Sequence, residues 1–340
     1  MMTTVFRALA SVLTLSAASV VMALAVSPTL PARGQLAFVS RQSGYEDIYL
    51  MDVGRRLAYR VTQTGRDDTW PVWSPDGSRI AFMSDVRSAI YLISAAGGKA
   101  VRLAVGNISG NATAWSPDGK HLAFVSYSDG NGEIYTVNLD REVSQRLTYS
   151  RANDFSPAWS PDGKSIAFVS YQEGKGEIFA IHADGSQLRR LTTSNLDNQS
   201  PTWSPDGRRI AFVSYPSQGG ELLVMDADGS HVQRLTDNTF DDQDPQWSPD
   251  GNHIAFTSLQ GGNRVIMTVD ADGSNLQQLT SKGAHSDSPV WSSDGTQIVF
   301  RSNRDGNYEI YIMDANGEHQ ERLTWNSTLD YGPVWRPEEP

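Results

Sequence analysis

The sequence predicts an all-β chain: a seven-bladed β-propeller of four-stranded antiparallel blades, its ring closed by the C-terminal strand joining the N-terminal blade. Three observations carry this. A Trp-Ser pair followed by a Pro-Asp-Gly-type turn returns at Trp73, Trp115, Trp159, Trp203, Trp247 and Trp291, with a shortened copy at Trp335, in one step of 42 residues and five of 44. A fixed period of this size marks a repeat architecture. Each repeat reads as four short strands, and each strand type occurs seven times but out of phase, beginning on a second strand and ending on a first.

Residues 201–236 illustrate the elements in order. Pro201-Thr202-Trp203 is the first strand, and Ser204-Pro205-Asp206-Gly207 a tight turn, with Pro presetting φ and Gly accepting positive φ. In the second strand the alternation Ile210-Ala211-Phe212 puts Ile and Phe on one face and Ala on the other. Glu221–Asp226 is the third strand, and Asp228-Gly229 signals the hairpin into the fourth, which ends at Leu235-Thr236. The second strand recurs at Phe38, Phe82, Phe124, Phe168, Phe212, Phe256 and Phe300. The fourth recurs at Val61-Thr62, Leu103-Ala104, Leu147-Thr148, Leu191-Thr192, Leu235-Thr236, Leu279-Thr280 and Leu323-Thr324. The chain enters near Leu36 and ends on Pro333-Val334-Trp335, so the last strand is expected to complete the first blade and leave no free sheet edge. The repeated Trp residues, Trp73 through Trp335, are expected to be blade core, because buried aromatics dominate core energetics.

The strings WSPDGKSIAFVS, MDADGS and RLT resemble the blades of the TolB-type WD-repeat-like β-propeller repeat family, over roughly residues 34 to 337. The resemblance implies the propeller fold and a broad class of binding scaffolds. TolB itself places an α/β domain ahead of a six-bladed propeller. Here seven blades are counted and only the propeller is matched. Members that are peptidases carry an additional catalytic domain, for which the residues outside these repeats are too few.

The expected organisation is a signal peptide at 1–25, a linker at 26–33 and the propeller at 34–340. Arg7 precedes an apolar stretch from Ala8 to Val26, and Ala23-Leu24-Ala25 reads as a cleavage site. An uncleaved anchor is the alternative, since that stretch nearly spans a bilayer. Either way the propeller is expected outside the cytoplasm, periplasmic or secreted. There is no Cys, hence no disulfide framework. Without residues 1–25 the charge is 27 basic against 39 acidic residues, or −12. That argues against nucleic acid, which needs a basic stripe, and against anionic membrane surfaces.

Antiparallel blades put the SPDG and DADGS turns on one face and the remaining loops on the other, where binding loops are expected. Ahead of the first strands stand Asp67, Asp68, Asp154, Asp197, Asp241, Asp242, Asp244, Asp287 and Asp330, an acidic ring expected to focus negative potential at the channel mouth. The competing reading is that these acids cap their own turns. Tyr127, Tyr171 and Tyr215 recur at 44-residue steps on the same face, with Tyr45 in the equivalent loop, as a contact strip for a partner. Each could instead pack on its own loop.

Catalysis has thin support, because only His285, beside Asp287, falls near this mouth. Asp226-Ala227-Asp228-Gly229 and Asp270-Ala271-Asp272-Gly273 lack calcium-loop spacing and read as hairpins. The expectation is therefore an exported, monomeric, non-catalytic module without metal or cofactor. It binds a protein or peptide, basic in character, through the acidic face. The alternatives are a metal-assisted hydrolase or lyase, or a glycan-binding propeller, using that face.

Overall fold

A computed structural model describes residues 34–84, 89–104, 107–108, 113–217 and 219–338. The expected signal segment 1–25 and linker 26–33 lie outside them. Among the described residues every regular element is a strand. The strands form seven four-stranded antiparallel sheets. The Trp-bearing strand is innermost in each: Asp330–Trp335 in blade 1, Asp68–Trp73 in blade 2, Ala114–Trp115 in blade 3 and Asp154–Trp159 in blade 4. Asp197–Trp203, Asp241–Trp247 and Ser286–Trp291 follow in blades 5, 6 and 7. Each innermost strand touches the next around a closed ring, which defines an axial channel.

Blade 1 is composite. Asp330–Trp335 pairs antiparallel with Gln35–Ser40, Leu36 lying opposite Trp335 and Ser40 opposite Asp330. The strand phase in the sequence thus predicts the closure and the count of seven correctly.

The Ile-Ala-Phe strands are second from the axis and buried on both sides, because each blade is covered by a neighbour on either face. The seven core clusters each draw on two adjacent blades. Leu222 and Val224 of blade 5, for example, pack with Ile254, Phe256 and Met267 of blade 6. Period-2 alternation therefore sends Phe256 toward one neighbour and Ala255, which joins the next cluster, toward the other.

The repeated Trp has a polar task as well as an apolar one. An innermost strand exposes unpaired carbonyls to the channel, a free edge that must be satisfied. The Trp of the following blade does this. Trp73 Nε1 donates to Val334 O (3.2 Å), Trp115 to Val72 O (3.2 Å), Trp159 to Ala114 O (3.1 Å) and Trp203 to Ala158 O (3.1 Å). Trp247 donates to Thr202 O (3.2 Å) and Trp291 to Gln246 O (3.2 Å). At the seventh junction, between blades 7 and 1, Trp335 Nε1 is buried with no partner among the described residues.

The Ser-Pro-Asp-Gly turn is held by its own side chains. Ser74 Oγ donates to Asp76 Oδ1 (2.5 Å) and accepts from Arg79 N (2.9 Å), so the hydroxyl bridges the hairpin. These bonds, led by the Ser74 hydroxyl, hold the Asp76 carboxyl down at about 2. The turn Gly is at φ 63° in Gly77 and 71° in Gly207, a left-handed conformation that a Cβ would strain.

Candidate functional site

The face opposite the SPDG turns is built by the loops between second and third strands and by those entering each innermost strand. The entry is bulged. In blades 1, 2, 4, 5, 6 and 7 the register with the second strand slips just before the Trp-strand proline. Proline has no N–H for the ladder, so pairing breaks there. The residue before it is left-handed: Trp70 (φ 54°), Ser156 (51°), Ser200 (53°), Asp244 (54°), Ser288 (57°) and Gly332 (61°). A cavity of about 220 Å³ opens among four innermost strands, lined by Trp70, Val72, Thr113, Ser288, Tyr331 and Val334 with their neighbours. Its walls come from blades 7, 1, 2 and 3, which places it in the channel.

The nine acids of the expected ring separate into three groups. Asp68, Asp154, Asp242 and Asp330 are at most 1% exposed and point into the junctions between blades. Thr64 donates to Asp68 (2.9 Å), Ser258 (2.5 Å) and Asn238 (3.0 Å) to Asp242, and Asn326 (2.6 Å) to Asp330. Burial pushes the carboxyls of Asp154 and Asp330 up to about 6 and raises those of Asp68 and Asp242. Asp287 is also buried, closed by a two-pronged pair with Arg301.

Asp67, Asp197 and Asp241 form the second group, half-buried caps. Each accepts the amide at the start of the preceding blade's third strand: Glu46 N (2.8 Å), Gly176 N (3.0 Å) and Gly220 N (3.1 Å) respectively. Asn153 does the same for Gly132 N (2.8 Å), and His285 Nδ1 for Arg264 N (3.3 Å). Side-chain capping of the local turn thus accounts for these positions.

Asp244 stands alone. It is exposed to solvent and has no hydrogen-bond or ion-pair partner among the described residues. Desolvation by the protein packed around it raises its carboxyl, and Asp287 adds to the shift while Arg264 and Arg301 oppose it.

The tyrosines are mostly packed. Phe155 sits between Tyr127 and Tyr171, with ring centroids 6.3 and 6.0 Å away. The Tyr171 hydroxyl accepts from Gln199 Nε2 (3.2 Å). Tyr215 is half-buried, and burial together with Asp241 and Asp244 pushes its hydroxyl up to about 12. Tyr45 is 49% exposed.

A second set of acids is absent from the sequence-based expectations. The third strand begins with Asp47, Glu133, Glu177, Glu221 or Glu309 in blades 1, 3, 4, 5 and 7, each at most 2% exposed. In blade 5, Thr236 Oγ1 donates to Glu221 Oε2 (2.9 Å) and Arg234 Nη2 lies 2.7 Å from Oε1. The same Thr then accepts from Leu222 N (2.9 Å). Arg60, Arg146, Arg190 and Arg322 pair in the same way with their own acids. The Arg-Leu-Thr ending of the fourth strand is therefore a receptor for a buried carboxylate. The signal was in the sequence: blade 2, with Ala89, has Ala104 in place of Thr, and blade 6, with Val265, has Gln278 in place of Arg.

Fold and site together define a propeller whose loop-bearing face opens on a partly apolar channel mouth. The TolB beta propeller domain model matches residues 14–113, 101–282 and 199–340, and the chain belongs to that family. TolB from Acinetobacter baumannii is similar at 27% identity and a TM-score of 0.59, over 75% of this chain and 65% of that one. This chain thus spans just under two thirds of that protein's length. A putative TolB from Agrobacterium tumefaciens is similar at 25% identity and a TM-score of 0.60, over 82% of this chain and 98% of that one. An oligogalacturonate lyase in complex with manganese shares the fold at 17% identity and a TM-score of 0.64, over 86% of each chain.

Proposed function

We propose that this protein is an extracytoplasmic, non-catalytic binding module that takes a protein or peptide partner at the channel mouth. The observation that carries the reading is the cavity among the innermost strands of blades 7, 1, 2 and 3, concave and partly apolar, on the face that carries the loops. At the site the innermost strands of blades 1 and 2, and of blades 2 and 3, are joined by indole-to-carbonyl bonds, which hold that side of the cavity preformed. Similarity to TolB proteins supports the class.

The competing lyase or hydrolase reading draws on His285, Asp287 and the shared fold of the manganese-bound lyase. Two observations weigh against it. His285 Nδ1 and Asp287 are engaged by Arg264 N and Arg301. Among the described residues no three His, Cys, Asp or Glu side chains converge to hold a metal ion.

The test is a directional block. Ser288→Trp adds bulk at a wall of the cavity, on a left-handed backbone conformation that already carries Trp at position 70. Ser230→Trp adds the same bulk at a DADGS turn on the opposite face. Affinity capture from the cell envelope is expected to lose its partner with Ser288→Trp and keep it with Ser230→Trp; the reverse pattern would overturn the proposal.

A further inference from the structure

The left-handed residue before each Trp-strand proline forms a ring of equivalent positions around the mouth. Ser156, Ser200, Ser288 and Gly332 are small and half-buried. Trp70 and Asp244 are the two exposed members among the described residues. They stand in blades 2 and 6, three steps apart through blades 1 and 7, the largest separation a seven-membered ring allows.

Trp70 is the more unusual. A bulky side chain at φ 54° is an outlier that local preference does not explain, given Ser or Gly at the equivalent positions. Conformations of this kind cost about 1–3 kcal/mol and persist where the surroundings or the function hold them. Here the indole is 48% exposed and forms a wall of the channel cavity. Pro71, Val72, Val290, Pro333 and Val334 supply the apolar lining. At about 220 Å³ the cavity falls below the ~300–1,000 Å³ of small-molecule sites and matches a single large side chain.

On the far side, Asp244 offers a carboxylate with no hydrogen-bond or ion-pair partner among the described residues. The two guanidiniums that act on it are both drawn to Asp287: Arg301 by a hydrogen bond and Arg264 at 3.7 Å. A formal net charge of −11 reinforces the preference for a cation at that pole.

We infer that the mouth is a two-pole reader of an extended peptide segment. An aromatic or large aliphatic side chain enters the Trp70 cavity, and a Lys or Arg several residues away pairs with Asp244. This rests on the channel-mouth reading above and adds the partner's chemistry to it. A basic residue alone satisfies one pole, and an apolar residue alone the other.

The test is an array of unstructured twelve-residue peptides, probed with purified protein, followed by fluorescence anisotropy on the best binders. Enriched peptides are expected to combine a large apolar residue with Lys or Arg. Asp244→Asn should weaken them on the order of tenfold and abolish the basic preference only. Trp70→Ser should weaken them on the order of thirtyfold and abolish the apolar preference only. Trp70→Ser restores the residue found at three equivalent positions, and Asp244→Asn keeps the shape of an exposed side chain that tolerates a left-handed backbone, so unchanged melting temperatures are expected. Binders that Ser288→Trp blocks but that ignore both substitutions would overturn this inference and leave the channel-mouth reading standing. Binders indifferent to Ser288→Trp would overturn the channel-mouth reading itself, and an array without enriched peptides would overturn the two-pole inference.

Discussion

Replacing Asp154 with Asn should make the protein more stable at neutral pH. Asp154 is 1% exposed, at the junction where blade 4 meets blade 3, and Glu133 lies close enough to oppose its ionisation. Burial first, then that like charge, holds its carboxyl at about 6 against an ordinary 3.8. A shift of about two units, at ~1.4 kcal/mol each, makes ionising Asp154 at pH 7.5 cost on the order of 3 kcal/mol.

Blade 5 contains the remedy. Asn198 occupies the equivalent place, and its Nδ2 donates to Glu177 Oε2 at 2.8 Å and to Ser194 Oγ at 2.8 Å. Asp154→Asn should direct the same amide at Glu133 and recover about 1–3 kcal/mol, read as a rise of roughly 2–6 °C in melting temperature. The sign is set by the raised value in the folded state. Between about pH 4 and pH 6 the native chain keeps a proton that the unfolded chain releases, so wild-type stability falls as pH rises through that window. The advantage of the variant should therefore be full above pH 7 and vanish below pH 4. Urea denaturation at steps from pH 4 to pH 8 measures it. A variant equal to wild type at every pH, or less stable at pH 7.5, would refute the reasoning.

Other substitutions probe the same framework. Asn198→Asp should destabilise by a similar amount with the opposite pH trend, since it sets a second carboxylate against Glu177. Thr192→Val, which leaves Glu177 and Ile178 N without the hydroxyl, should cost about 1–3 kcal/mol in urea denaturation. In blade 6, Val265→Glu alone should destabilise by burying an unpaired carboxylate, and adding Gln278→Arg should recover part of the loss, a coupling measured by a double-mutant cycle. Gly220→Ala would bring a Cβ to 2.7 Å from Asp242 O and 2.9 Å from Asp241 Oδ1, so it should cost about 1–3 kcal/mol of stability.

The fold was legible because its determinants are local and repeated. A period of 44, a Pro-Asp-Gly turn and a strand out of phase lead directly to seven blades and a shared first blade. The acids were harder to assign, because an Asp before a strand looks the same whether it faces a channel or a junction. Asp241 and Asp242 are neighbours in sequence, yet one caps Gly220 N and the other accepts from Ser258 inside the molecule. Strand alternation separates such a pair only once the bulge is placed, and the bulge depends on a proline whose effect on register is tertiary. The Glu177–Arg190–Thr192 cluster was written in the sequence as a covarying set across blades, visible only by aligning the third and fourth strands together. Trp70 lies within the innermost strand of blade 2, where the repeat pattern marks no site. Only its left-handed φ and its exposure set it apart.

The central claim is that partners are taken at the channel mouth, and hydrogen-exchange protection on the captured complex tests it most directly. Slowed exchange is expected at amides around Trp70, Ser200, Asp244 and Ser288, with the SPDG and DADGS turns unchanged. Protection confined to those turns, with the mouth exchanging as in the free protein, would contradict the account.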